Sequence, residues 1–353
     1  MINKNIFLAA LLQQKGIGHK TLLSILDKLH FDEVLNYRSE ENLVLKKAVI
    51  LAKKTLEKLE VDLKKHKINV TSVLDENYPR LLQEVPDKPV VLYYKGNIEL
   101  LNQKTNIAFV GTRNITEYGK RHVNNLIRGI SHLPLNIVSG MAFGVDAAAH
   151  EAAISNKLPT TAVLAGSVHK SSPVQNSHIY SAILENGGLI ISEFSPNVKV
   201  VPGMFALRNR IVAGISKATV IIEAGEKSGS LITGSLAFDY NREVFALPGS
   251  VDSQYSKGSN KIIKKGIANL IDEPSDLIEH LGFSIVKNSS TETKQKLNDA
   301  QKKIYDIIIS SPKHLEELAT LLNKEVFEVS QICFELEMIG VVGKDVSGRY
   351  IIK

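Results

Sequence analysis

From Asn106 onward the chain repeats one pattern of apolar and polar positions. A short run of β-branched and other apolar residues ends in a small or turn-forming residue, and a stretch with helical spacing follows. The runs are Ile107–Val110, Asn136–Val138, Thr161–Leu164, Leu189–Ile191, Thr219–Ile222 and Val244–Leu247. They end at Gly111, Ser139-Gly140, Gly166-Ser167, Ser192, Gly225 and Pro248-Gly249. Continuous apolar strands alternating with helices predict a parallel sheet buried on both faces. Right-handed crossovers make such a sheet doubly wound, so the expected class is α/β and Rossmann-like. Ligands of these sheets bind outside the carboxyl ends of the strands, where the loops gather.

The flanks follow other patterns. Residues 1–74 carry apolar positions at spacings of three and four and predict a helical domain. Within it Gly16-Ile17-Gly18-His19-Lys20 separates Leu11-Leu12 from Leu22-Leu23. A Gly-x-Gly turn between short helices fits a SAM or helix-hairpin-helix module, whose turn amides hold a backbone phosphate, and equally a plain corner between helices. The opening MINKNIFLAALLQQKG lacks a small-residue cleavage site and reads as a first helix, not a signal peptide. Residues 75–283 form the extended Rossmann-like domain, entered through a proline-punctuated connector with one strand, Val90–Tyr94. A polar linker is expected over 284–296. Helical segments near 297–310, 314–322 and 325–339, then a small hairpin, suggest a winged helix over 297–353.

Charge narrows the partners. The net charge is +6, and two mid-chain stretches hold only cations: Lys199, Arg208, Arg210 and Lys217, then Lys257, Lys261, Lys264 and Lys265. A polyanion is the partner class this suits. No run reaches the 18 or so apolar residues of a spanning helix. The single cysteine, Cys333, rules out an intramolecular disulfide and suits a reducing cytoplasm.

The loops at the strand ends lack the usual nucleotide signatures. There is no G-x-G-x-x-G after the first strand and no G-x-x-x-x-G-K-[ST] anywhere, which argues against a dinucleotide cofactor and ATP hydrolysis. Gly111-Thr112-Arg113 instead offers close backbone approach, a helix N-terminus and a bidentate phosphate donor. Ser139-Gly140 opens the second turn. There Asp146 is expected to cap a helix and His150 to pack inside it; no third ligand argues for a metal. Arg208 and Arg210, two apart on a helix, cannot both face one ligand. The turn Lys227-Ser228-Gly229-Ser230 is the best phosphate cradle in the chain. Phe143, Phe194, Phe205 and Tyr255 are candidates for base stacking.

Taken in order, VGTRNITEYG, SGMAFGVDAAAHEAA, Pro173 with Asn176, SEFSP, LRNRIVAGIS, EAGEKSGSLIT, REVFALPGS and SKGSNKIIKKG resemble the DNA-processing protein A (DprA, or Smf) family. DENYPRLLQEVPDKPVVLYYKGN resembles its entry segment. The resemblance covers about residues 75–275. It implies a protein without catalytic residues or cofactor that binds single-stranded DNA, self-associates as a homodimer, protects incoming DNA and helps load the RecA recombinase in natural transformation. Carried over by position, the DNA pocket is Gly111, Arg113, Ser139, Gly140, Arg208, Asn209, Lys227, Ser228, Gly229 and Ser230, with Lys257 and Lys261 at its rim. Phe143, Ser172 and Ala206 depart from the family pattern, where a basic residue, an aromatic and a proline are usual.

Two rivals remain. A nucleotide phosphoribohydrolase of the lysine-decarboxylase-like type needs a carboxylate just after the glycine turn; here Glu223 and Glu226 precede it. A transcription factor would read duplex DNA through 325–338, yet that segment holds Glu325, Glu328, Glu335 and Glu337 and no basic residue. Phosphates repel such a surface, so this module is expected to contact protein. DNA binding by the 290–353 fragment at moderate salt would overturn that expectation.

Overall fold

The computed structural model describes residues 2–283, 297–310, 312–339, 341–345 and 348–352; the linker expected over 284–296 lies outside them. The chain divides into two units after Phe283. The first opens with α1 (Lys4–Leu12), α2 (His19–Leu26), α3 (Phe31–Leu35) and α4 (Leu43–Lys65). Asn3 caps α1 by accepting from the amides of Asn5 and Ile6. In α4 the buried positions Leu45, Ala48, Val49, Ala52, Leu56, Leu59 and Leu63 recur every three or four residues and pack against Phe7, Leu8 and Leu11 of α1. The chain then makes β1 (Asn69–Ser72), α5 (Arg80–Gln83), β2 (Val91–Gly96) and α6 (Leu100–Gln103). The helical pattern ahead of it hides β1, which is half-buried and paired along one side only.

Strands and helices now alternate: β3 (Thr105–Val110), α7 (Glu117–Gly129), β4 (Leu135–Ser139), α8 (Val145–Ser155), β5 (Thr160–Val163), α9 (Ser177–Glu185), β6 (Leu189–Ser192), α10 (Gly203–Gly214), β7 (Ala218–Ile221), α11 (Gly229–Asp239), β8 (Glu243–Ala246), α12 (Lys257–Lys264), β9 (Asn269–Leu270) and α13 (Pro274–His280). Among the described residues the sheet runs β1-β2-β6-β5-β4-β3-β7-β8-β9. It is parallel from β6 to β9, while β2 is antiparallel to both β1 and β6. Side chains alternate across β3: Ile107 and Phe109 enter one core, Ala108 and Val110 the other. From β3 the chain steps outward to β6, then returns to lay β7 against β3's other side. That reversal opens a crevice at the carboxyl ends of β3, β4 and β7.

The N-terminal helices are fastened to this sheet. Asn5 of α1 donates to the Val70 carbonyl (3.1 Å) and to Asp75 (2.6 Å). His19, at the start of α2, accepts from the Val90 amide through Nδ1 (3.0 Å) and lies 3.3 Å from Glu193 through Nε2. Glu193 in turn receives Arg210 of α10 at 2.5 Å. The Gly16–Lys20 turn is thus a docking corner whose histidine faces the sheet. Deep in the core, His150 Nδ1 meets Thr160 Oγ1 at 2.7 Å. That hydroxyl spends its own proton on the Ile137 carbonyl, so the imidazole is the donor.

Burial first, and neighbouring arginine charge second, hold His19 neutral down to about 4 and His150 down to about 3, against an ordinary 6.5. On acidification the unfolded chain takes up these protons before the folded one does. Stability is therefore complete above pH 6.5 and falls below it, by about 1.4 kcal/mol per pH unit for each ring, until the folded values are reached. Denaturant titrations at about pH 7 and about pH 5.5 should differ by roughly 2 kcal/mol. A His19→Gln/His150→Gln variant should show a flatter pH profile; an unchanged profile would refute the assignment.

The second unit contains α14 (Asp299–Ser310), α15 (Leu315–Leu322), α16 (Val326–Met338) and an antiparallel hairpin of β10 (Val342–Lys344) and β11 (Tyr350–Ile352). Its own core joins Ile304, Tyr305, Leu318, Val329, Cys333 and Leu336. On α16, Phe327, Phe334 and Met338 are exposed. No described helix is long and apolar enough to cross a membrane.

Candidate nucleic-acid interface

A cavity of about 710 Å³ occupies the crevice where the winding reverses. Its shape depends on two interlocked glycine turns. A Cβ on Gly111 would lie 2.4 Å from Val145 and 3.0 Å from the Glu223 carbonyl. Gly144 sits at φ +76°, where a Cβ would come within 2.2 Å of the Thr112 carbonyl. That carbonyl accepts from Val145 N at 3.1 Å. The turn after β3 is therefore pressed against the N-terminus of α8, with no room for a side chain between them.

The helices that follow β3, β4 and β7 all begin at this edge, and their electrostatics differ. At α7 the Glu223 carboxylate accepts from Thr116 N (2.9 Å) and Thr116 Oγ1 (2.6 Å). At α8 the cap is Gly144, not Asp146 as the sequence suggests; Asp146 lies in the first turn, buried, accepting from Ala142 N at 3.2 Å. Both helix ends already face a carboxylate. The first turn of α11 carries no acid: Ser228 caps it, accepting from Ser230 N at 3.4 Å, and Gly229 leaves the approach open. Amides at a helix N-terminus attract an anion, and exposed Lys227 stands beside them.

Arg113 is exposed at the opposite wall, its guanidinium 5.5 Å from the centre of the Phe205 ring. Asn209 of α10 accepts from Arg208 Nε at 3.1 Å and donates to the Gly229 carbonyl at 3.4 Å, tying α10 to α11. Gly111, Arg113, Gly140, Arg208, Asn209 and Lys227 all line the cavity, as do Ser228, Gly229 and Ser230. Of the stacking candidates, Phe205 and Tyr255 line it too, whereas Phe143 is 44% exposed on the surface and Phe194 is half-buried outside the lining.

Several expectations change. Ser139 does not line the cavity: it is fully buried, donating to the Phe109 carbonyl at 2.6 Å. Arg208 is buried in the cavity floor, with Nη1 donating to the carbonyls of Gly140 and Val163. A Cβ on Gly140 would strike that guanidinium, so Gly140 serves Arg208 and not a ligand's close approach. Burial presses the Arg208 charge down while Asp146 supports it, and the Asp146 carboxyl is pushed up by the same burial. Arg210 points elsewhere, to Glu193 and Asp87, and Lys257 and Lys261 are exposed on α12 outside the lining. The sequence reading omitted Asn114 and Gln254, which do line the cavity. Asn114 adjoins Arg113. Gln254 arrives through loop packing, its carbonyl 3.3 Å from where a Gly225 Cβ would be, a contact no local signal announces. No described group of His, Cys, Asp and Glu is placed to hold a metal ion.

The family profile of DNA recombination-mediator protein A matches residues 69–282. The chain is 32% identical to Protein Smf of Synechocystis over 312 residues, 78% of each sequence. It is 38% identical over 214 residues to DNA processing protein DprA of Bacillus subtilis, covering 61% of this chain and 71% of that one. The crystal structure of DNA processing protein A from Streptococcus pneumoniae superposes with a TM-score of 0.68 at 31% identity, over 79% of this chain and 98% of that one. DNA processing protein A from Helicobacter pylori, described for its single-stranded DNA binding mode, superposes with a TM-score of 0.55 at 32% identity, over 61% and 95%. The Rossmann-like sheet, the glycine turns at its carboxyl edge and the matched span agree: the chain belongs to the DNA recombination-mediator protein A (DprA/Smf) family.

Proposed function

We propose that this protein binds single-stranded DNA through the backbone phosphates, which enter the cavity between Arg113 and Lys227. The observation that carries the reading is the α11 N-terminus: acid-free in its first turn, flanked by Lys227 and opening into the cavity. Phosphate contacts of this kind bind any sequence and weaken as salt rises. Phe205 and Tyr255 supply aromatic surface for bases beside the phosphate groups. Membership of the family supports extending the reading to protection of incoming DNA, loading of the RecA recombinase and self-association as a homodimer. The three helices and hairpin of the second unit support a winged helix over 297–353, and exposed Phe327, Phe334 and Met338 support its contacting protein through α16.

The reading is non-enzymatic. A phosphoribohydrolase would need a carboxylate free to face the sugar, and both oxygens of Glu223 are engaged in holding α7. The test is a salt series of gel shifts on single- and double-stranded oligonucleotides. Arg113→Ala and Lys227→Ala should each weaken single-strand binding about tenfold, the worth of one charge-assisted contact. Each should also lower the log–log salt slope by about 0.7. Wild-type behaviour in both variants would mean the pocket is elsewhere.

A further inference from the structure

The same edge of the sheet carries a second cluster of basic side chains, two strands away from β3. The loop after β5 brings His169 against His66, the residue that ends α4, with ring centres 4.6 Å apart. Ser167 Oγ lies 2.6 Å from His169 Nδ1 and fixes the ring. Lys170 and Lys67 are exposed beside the two histidines, and half-buried Lys95 on β2 adds to the field. The charges that bear on His169 are all positive: His66, Lys170 and Lys95 push its proton off, after burial itself. Burial first, and the Lys67 charge second, do the same to Lys95.

This concentration of like charge costs the folded chain free energy, and nothing in the core needs it. Its place suggests the use. The loops after β5 and β6 touch where a Gly166 Cβ would lie 2.7 Å from Val200. The β6 loop reaches α4 through the bond from Asn197 to Asp62 (2.7 Å). The cluster therefore belongs to the carboxyl edge that holds the cavity. Two strand spacings, about 10 Å, separate β5 from β3, and two more, about 10 Å again, reach Lys95 on β2, a span that a long single strand held at Arg113 and Lys227 can cross.

We propose that His66, His169 and Lys170, with Lys67 and Lys95, form a second phosphate-binding station that takes up a long single strand as it leaves the cavity over β5. The inference rests on the single-strand reading above. It predicts that binding depends on length in a way the cavity alone does not explain. The experiment is fluorescence anisotropy with the full chain at several salt concentrations. The probes are oligothymidylates of about six and about twenty nucleotides, spanning the usual range of single-strand site sizes.

Lys95→Ala/Lys170→Ala should bind the short probe as the wild type does, which also shows that the variant is folded. On the long probe its affinity should fall about tenfold or more, with a salt slope smaller by about 1.4, the value for two cations on a single strand. Arg113→Ala should weaken both probes. Equal affinity and slope on the long probe, for a variant that binds the short one normally, would overturn the second station and leave the cavity reading intact. Failure of the wild-type chain to bind either probe would sink both.

Discussion

Replacing Gly144 by alanine is expected to destabilise the chain by about 3 kcal/mol or more and to abolish single-strand binding. The residue sits at φ +76°, ψ −121°, a region populated almost only by glycine. Backbone strain is the smaller part of the effect. The added methyl would lie 2.2 Å from the Thr112 carbonyl and 2.6 Å from the Arg113 carbonyl. The Gly111–Arg113 turn must then move, and with it the bond from Val145 N that closes the α8 terminus and the wall that presents Arg113. Denaturant unfolding with a binding titration checks this. A variant within about 0.5 kcal/mol of the wild type, still binding DNA, would show that the two turns are not interlocked.

Arg208 carries the second large effect. Arg208→Met keeps most of the volume and removes every donor. The buried carbonyls of Gly140 and Val163 lose their partner, and Asp146 loses the charge that offsets its burial. Breaking a buried charged group out of such an arrangement costs about 3–5 kcal/mol. Arg208→Lys should recover little, because one ammonium cannot reproduce the planar fork that reaches Gly140, Val163 and Asn209 together. An Arg208→Met protein as stable as the wild type would contradict the placement. Loss of DNA binding in the same variant would report a collapsed cavity floor, and not a lost phosphate contact.

The alternating apolar runs carried the fold because each strand is buried on both faces, and burial leaves a mark on every residue of a run. Where burial was partial the mark vanished. β1 is half-buried at the sheet margin, β9 is two exposed residues, and both escaped the reading. The site was legible as glycine, serine and cationic turns at strand ends, because those residue types are what close backbone approach and anion binding require. What stayed hidden was direction. Nothing in LRNRIVAG says that Arg208 turns inward to two carbonyls while Arg113, three strands earlier in the chain, stays at the surface. Nor does SGMAFG show that Ser139 hangs from Phe109. Those outcomes depend on contacts among β3, β4 and α10, which are distant in sequence and meet only once the sheet is built. The His66–His169 pair was invisible for the same reason.

The helices that precede the sheet set a practical boundary. The family profile begins at residue 69, but α1 and α4 share one apolar core with Tyr93 of β2, Met141 of the second turn, and Ile179 and Ile190 behind it. A fragment cut at the profile boundary would carry all of the profile match and lose the lid over that half of the sheet. It would also leave Glu193 and the Val90 amide without the imidazole that serves both. The profile span and the cooperative folding unit are different objects here, and an expression fragment designed on the first should aggregate where one that keeps the opening helices stays in solution.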